Sequence, residues 1–191
     1  MKPNEYMIEL GHKFLETRVN IDAVVDVLHA TIKRKSSIWI MGNGGSASTS
    51  DHFETDLSFF RVKEDIGKVK ACSLTSNSSM LTAASNDIGF ENVFSIQLKR
   101  KASSGDLSIF ISASGNSINL LRAAEFCKAE GIATVGILGF DGGELLKMVD
   151  IPLLFPTEIG NYGHSEDLHL AVCHAISAQL LKRMRNITAT E

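Results

Sequence analysis

Leu107-Ser108-Ile109-Phe110-Ile111-Ser112-Ala113-Ser114-Gly115-Asn116-Ser117 is the stretch that decides the fold of this chain. An apolar run passes through a serine-rich turn and into the helical stripe of Leu120, Leu121 and Ala124. The same design occurs upstream, where Ile38-Trp39-Ile40-Met41 runs into Gly42-Asn43-Gly44-Gly45-Ser46. Short apolar runs of this kind read as strands buried on both faces, which belong to parallel sheets covered by helices. Strands are expected at 37–41, 69–74, 107–112, 132–138 and 150–154. Helices are expected at 47–61, 77–86, 90–101, 117–130 and 142–148, with a long final helix at 164–186. The alternation specifies an α/β fold: a three-layer α-β-α sandwich around a five-stranded parallel sheet.

Residues 1 to about 35 precede any strand and form a helical arm. Met7, Leu10 and Phe14 make one apolar stripe; Ile21, Val24, Val25, Leu28 and Ile32 make a second, with Asn20 placed to cap it. The arm packs on its own sheet or on a neighbouring subunit, and the sequence leaves both open. With 191 residues the chain is expected to be a single domain, 1–191, with a buried core. A net charge of −3 offers no basic footprint, so nucleic acid is not an expected partner. No apolar run reaches the roughly 18 residues of a membrane span, and no N-terminal signal pattern is visible. Cys72, Cys127 and Cys173 lack any CxxC pairing and read as reduced thiols of a cytoplasmic protein.

Ligands of open α/β sheets bind beyond the carboxyl ends of the strands, where both glycine–serine turns fall. In the second turn, Ser112, Ser114 and Ser117 with the N–H groups of a helix N-terminus can cradle a phosphate without a lysine. The plainer reading is N-capping by Ser114 or Ser117. The first turn lacks the third glycine of a dinucleotide fingerprint, because residue 47 is Ala, and no Walker lysine follows it. Asn43 and Ser46 are there to bond sugar hydroxyls or phosphate, or the turn serves only to reverse the chain. His52 and Asp56 share one face of the next helix. Glu166 and His174, eight apart, lie about 80° around the last helix and can point toward one cleft. His52, Asp56, Glu166 and His174 have the ligand chemistry of a zinc site, although a surface His–Asp contact is the commoner use of such a pair. Asn86-Asp87 either ends a helix or places Asp87 at the cleft. Asp141-Gly142-Gly143 reads as a structural turn, and His29 as a structural helical residue.

Together these residues resemble the sugar isomerase (SIS) domain and, within it, the phosphoheptose isomerases. The likeness rests on GNGGSASTSDHF (42–53), LTAASNDIGFENVFSIQL (81–98), GDLSIFISASGNSINLL (105–121), GILGFDGGEL (136–145) and EDLHLAVCH (166–174). The resemblance implies aldose–ketose isomerisation of D-sedoheptulose 7-phosphate to D-glycero-D-manno-heptose 7-phosphate through an enediol, toward heptose-containing surface polysaccharides. By the same resemblance, Ser112, Ser114 and Ser117 bind phosphate, with Ala113 where threonine is usual. Asn43, Gly44 and Ser46 form the first substrate loop, and Asp87 contacts the sugar chain. Asp56 and His174 are the implied acid/base pair. His52 and Glu166 hold a zinc ion, one per active site, with that pair, or orient it. A homotetramer with active sites between subunits is implied as well.

Three departures from the family pattern bear on the chemistry. Asp56 stands where glutamate is usual, and Glu166 where glutamine is usual. The stretch 157–164 is unlike the usual approach to the last helix, with Gly163 and His164 in place of an Asp-Arg pair. The alternatives are an isomerase of a different phosphosugar and a non-catalytic phosphosugar-binding relative. Asp56 and His174 favour an enzyme.

Overall fold

The computed structural model describes residues 2–17, 19–59 and 68–188. Five strands, β1 (Ser37–Gly42), β2 (Lys70–Ser73), β3 (Leu107–Ser112), β4 (Ala133–Leu138) and β5 (Ile151–Leu154), form one sheet in the order β2-β1-β3-β4-β5. Every pairing is parallel, with Ile40 opposite Ile109 and Ile109 opposite Val135 at the centre. The order reverses between β1 and β3, and the two glycine–serine turns leave the ends of those two strands. That is the crevice of an open α/β sheet.

Alternation along each strand sorts the core into two halves. Ile38, Ile40, Leu107, Ile109, Ile111, Val135 and Ile137 face one way, and pack under α2 (Ile21–Lys33), α3 (Gly45–Phe59) and α8 (Tyr162–Thr188). Trp39, Met41, Phe110 and Leu138 face the other way, against α4 (Ser78–Ile88), α5 (Ser95–Lys101), α6 (Ile118–Ala129) and α7 (Leu145–Met148). This is the expected three-layer sandwich. Asn20 caps α2 by accepting from the Ala23 N–H, as its position predicts. The arm helix α1 (Pro3–Glu16) lies on its own molecule: Leu10 enters the core, and the Tyr6 hydroxyl donates to Asp167 at 2.5 Å. Met7, Ile8 and Phe14 remain exposed.

Two expected helices come out differently. The 90–101 segment is broken into a 3-10 turn, Phe90–Asn92, and α5. Gly89 ends α4 at φ 89, and Val93 and Phe94 then turn inward to full burial before the chain resumes a helix. The 142–148 helix shrinks to α7, because Gly142 and Gly143 hold φ values of 84 and 53 that no right-handed helix contains. Residues 60 and 61 of the expected 47–61 helix lie outside the described residues.

His169 on α8 is wholly buried, edge-on to Phe155, and neither ring nitrogen has a partner at hydrogen-bond geometry. Burial pushes its pKa down to about 4, against a weak opposing pull from the Leu138 carbonyl. The folded protein therefore holds a neutral imidazole that the unfolded chain would protonate below about 6.5. This contribution to stability is complete above pH 6.5 and is lost as pH falls toward 4. It amounts to a loss on the order of 3 kcal/mol. His169→Leu should flatten that slope, which urea denaturation will read as a smaller loss of unfolding free energy between pH 7.5 and pH 4.5 in the variant than in the wild type.

Candidate active site

Each turn is built from contacts that only its own residues allow. At the end of β1, a Cβ on Gly42 would stand 2.6 Å from the Ser46 carbonyl oxygen, so only glycine lets the chain fold back into α3. The Gly44 carbonyl accepts the N–H groups of Ala47 and Ser48, the first turn of α3. Asn43 and Asn119 exchange two amide hydrogen bonds of 2.9 Å, which tie the first turn to the helix after the second. The second turn is braced from within: Ser112 Oγ accepts from the Gly115 N–H at 2.9 Å and Ser114 Oγ from the Asn116 N–H at 3.3 Å. Because both oxygens accept, both O–H groups are left to donate elsewhere. Ser117 takes the N-cap position of α6 without a side-chain capping bond. Ordinary capping by Ser117 is therefore not what this serine does.

These turns and α8 enclose a polar cleft of about 130 Å³, lined by Asn43, Ser46, Ser112, Ala113, Ser114, Ser117, Tyr162 and Glu166 with Ile111. Glu166 packs on Gly45, where its carboxylate fills the space any side chain there would need. It thereby occupies the N-terminus of α3 and leaves the N-terminus of α6 as the one facing an incoming anion. The loop Gly142-Gly143 supports the serine turn from behind, with Leu145 N–H donating to the Gly115 carbonyl at 3.0 Å. Asp141-Gly142-Gly143 is thus a structural turn, as its sequence suggests.

Further along α3 and α8 lies a second cleft, of about 360 Å³, lined by His52, Asp56 and His174 with Leu57, Ser177, Ala178, Leu180 and Leu181. Asp56 is buried under the two half-exposed imidazoles. His52 Nε2 and His174 Nε2 stand 2.9 Å apart, and the Asp56 carboxylate oxygens lie 3.6 and 3.9 Å from them. Only one proton fits between two nitrogens that close, so one ring donates while the other accepts, and the carboxylate stands by to hold the charge. One ligand atom from each of the three residues falls within 4.8 Å of the others. Two imidazole nitrogens and a carboxylate gathered this closely have the donor chemistry of a zinc site, with a fourth position left for a ligand from the cleft.

The expected residues thus fall into two groups. Asn43, Ser46, Ser112, Ala113, Ser114, Ser117 and Glu166 share the polar cleft, while His52, Asp56 and His174 share the second. Glu166 stands with the serines rather than with the other three expected zinc ligands. Eight residues on α8 are about 12 Å of rise, which the angle around the helix does not reveal. Gly44 serves the turn and does not line either cleft. Asp87 sits exposed near the end of α4, accepting from Asn86 at 2.8 Å, and lines neither. Asn119, inside the 105–121 stretch, and Tyr162, inside 157–164, are not marked out by spacing in the sequence. Gly163 and His164 serve the arm: a Cβ on Gly163 would meet the Tyr6 hydroxyl at 2.8 Å, and the ring of buried His164 packs tilted against the Tyr6 ring at 4.3 Å.

The SIS domain family model matches residues 4–139. The chain is 36% identical to a phosphoheptose isomerase of Geotalea daltonii over 169 residues, 88% of this chain and 86% of that protein. It is also 36% identical to a phosphoheptose isomerase of Trichlorobacter lovleyi, over 92% of this chain and 88% of that one. Among solved structures, a phosphoheptose isomerase of Neisseria gonorrhoeae superposes with a TM-score of 0.83 at 25% identity, covering 94% of this chain and 96% of that one. One from Francisella tularensis shares the fold with a TM-score of 0.85 at 23% identity, covering 95% and 100%. The serine turn, the glycine turn and the extent of these likenesses agree that the chain belongs to the SIS domain family, in its phosphoheptose isomerase group.

Proposed function

We propose that this protein is an aldose–ketose isomerase that interconverts D-sedoheptulose 7-phosphate and D-glycero-D-manno-heptose 7-phosphate. The observation that carries this reading is the spacing of the two clefts along one helix pair. From Ser46 to His52 is six residues, about 9 Å along α3. An open-chain sugar of six or seven carbons bridges that distance with its phosphate at the serines and its carbonyl end at the histidines; a triose does not. The curated relatives of the same name support the choice of a heptose.

Ser112, Ser114 and Ser117 bind the phosphate, with Ala113 beside them. Asn43 and Ser46 meet the hydroxyls of the chain, and Glu166 accepts from a further hydroxyl. Asp56 and His174 carry the proton between C1 and C2: one removes it from carbon to give the enediol, and the other manages the proton on oxygen. His52, in hydrogen-bond contact with His174, fixes which nitrogen of that ring carries the proton. A zinc ion held by His52, Asp56 and His174 would take the place of the proton shared between the two rings and would supply polarisation of the substrate carbonyl. Homotetramer formation, supported by the exposed Met7, Ile8 and Phe14 of the arm, and a cytoplasmic role in surface-polysaccharide precursor synthesis belong to the same reading. No described helix is long and apolar enough to cross a membrane.

Incubation with sedoheptulose 7-phosphate in D2O, followed by NMR, should show the aldose signal with deuterium at the exchanged carbon. Absence of turnover with and without added zinc, alongside turnover of another sugar phosphate in a panel, would redirect the reading to that sugar. Zinc itself is tested by calorimetry: one ion per chain for the wild type, and at least a hundredfold weaker binding for His52→Ala. Equal zinc affinity in the two proteins would remove the metal from this site.

A further inference from the structure

The polar cleft has one wall that the proposed chemistry leaves without a task. Tyr162, the first residue of α8, lines it together with the serine turn, one helical turn from Glu166. Gly163 has no side chain between them, and His164 and Ser165 are buried, so Tyr162 and Glu166 share the exposed face toward the cleft. The ring of Tyr162 rests edge-on against Phe140 at 5.2 Å. Phe140 is buried and holds φ 45, a left-handed conformation that costs a residue with a side chain free energy. Its N–H donates to Thr157 Oγ1 at 3.1 Å, and that hydroxyl lies 2.5 Å from Ser165 Oγ in the first turn of α8. The loop after β4 and the start of α8 are thereby locked together with the Tyr162 ring between them and the cleft.

None of the described residues lining this cleft is lysine or arginine. Among the described residues a phosphate dianion bound there is met by hydroxyls and backbone N–H groups, beside the Glu166 carboxylate, so each further hydroxyl counts. We infer that Tyr162 is a substrate-binding residue, the fourth hydroxyl donor to the phosphate after Ser112, Ser114 and Ser117. Phe140 is the positioning residue that holds it there. The inference rests on the phosphosugar reading of the cleft, but not on which sugar it is or on its turnover.

The probe is inorganic phosphate, with affinity measured by calorimetry on the intact protein and sedoheptulose 7-phosphate kinetics measured beside it. Tyr162→Phe keeps the ring on Phe140 and removes only the hydroxyl. It should weaken phosphate binding about tenfold, the usual scale for one hydrogen bond to a charged group, and raise KM for the sugar phosphate by a similar factor. Phe140→Leu should weaken phosphate binding in the wild-type background and have no further effect on top of Tyr162→Phe, which a merely structural residue would not show. Wild-type phosphate affinity in Tyr162→Phe overturns the inference even if the heptose is turned over. Tyr162-dependent phosphate binding without turnover of sedoheptulose 7-phosphate supports the inference and overturns the heptose reading instead.

Discussion

His174→Ala should lower kcat for sedoheptulose 7-phosphate by a factor of about 10² to 10⁴, the range that a positioned acid or base contributes. Asp56→Asn should fall in the same range. The geometry explains why the two losses belong together. His174 Nε2 meets His52 Nε2 at 2.9 Å and Asp56 at 3.9 Å, so removal of any one group changes where the shared proton can sit. Groups that act as a unit lose most of their effect with the first deletion. The double variant should therefore be little slower than the worse single one, well short of the product of the two factors. Both variants should fold, because His174 is half-exposed and asparagine keeps the shape of the buried aspartate. KM should change little, since the serine cleft remains intact. Steady-state kinetics on the three variants settles the matter, with loss of solvent deuterium incorporation at the reacting carbon as an independent reading of the proton step. Multiplicative losses would mean that the two residues act separately and that the trio is not one proton-handling unit.

Much of this arrangement is legible in the sequence, for physical reasons that also mark where legibility ends. The runs at 38–41 and 107–111 are apolar at every or nearly every position because the strands are buried on both faces, and that alone announces a parallel sheet. The alternate residues Ile38 and Ile40 against Trp39 and Met41 then define the two halves of the core. The break near Val93 is different. It follows from the burial of Val93 and Phe94 in one core cluster with residues of α4 and α6, a tertiary demand that overrides the local helical pattern. The candidate site divides the same way. His52 and Asp56 share a helical face at spacing four, which needs no further information to place them together. Glu166 and His174 are about 80° apart around α8 but about 12 Å apart along it, so the polar cleft takes one and the histidine cleft the other. Asn119 and Tyr162 matter through partners 76 residues away in one case and through a strained Phe140 in the other, and neither relation leaves a local trace. The likeness at 42–53 and 105–121 supplied roles for the serines that spacing alone left open to capping.

Gly115→Ala should be the most damaging single methyl group that can be added to the phosphate turn. Gly115 holds φ 64, and a Cβ there would drive into the carbonyl oxygen of Gly142, a backbone atom that cannot rotate away. Two costs arise and can be separated. The left-handed conformation costs alanine about 1–2 kcal/mol wherever it occurs. Gly131, in the turn before β4, has the same φ of 64 with nothing within 4 Å of its would-be Cβ. Gly131→Ala should therefore lose only that conformational cost and keep its kcat/KM. Gly115→Ala should lose more stability, because the Gly142-Gly143 loop must retreat or the serine turn must open. Either movement drags on the Gly115 N–H that holds Ser112 Oγ and on the carbonyl that receives Leu145 N–H. A displacement of an ångström at groups that orient a phosphate is worth about a hundredfold in rate. The expected result is a fall of about 10² in kcat/KM for Gly115→Ala, carried mostly by KM, with urea denaturation separating its stability from that of Gly131→Ala. If both variants lose equal stability and both keep kcat/KM, the turn tolerates the methyl group. The Gly142 loop would then not be what sets the serines around the phosphate.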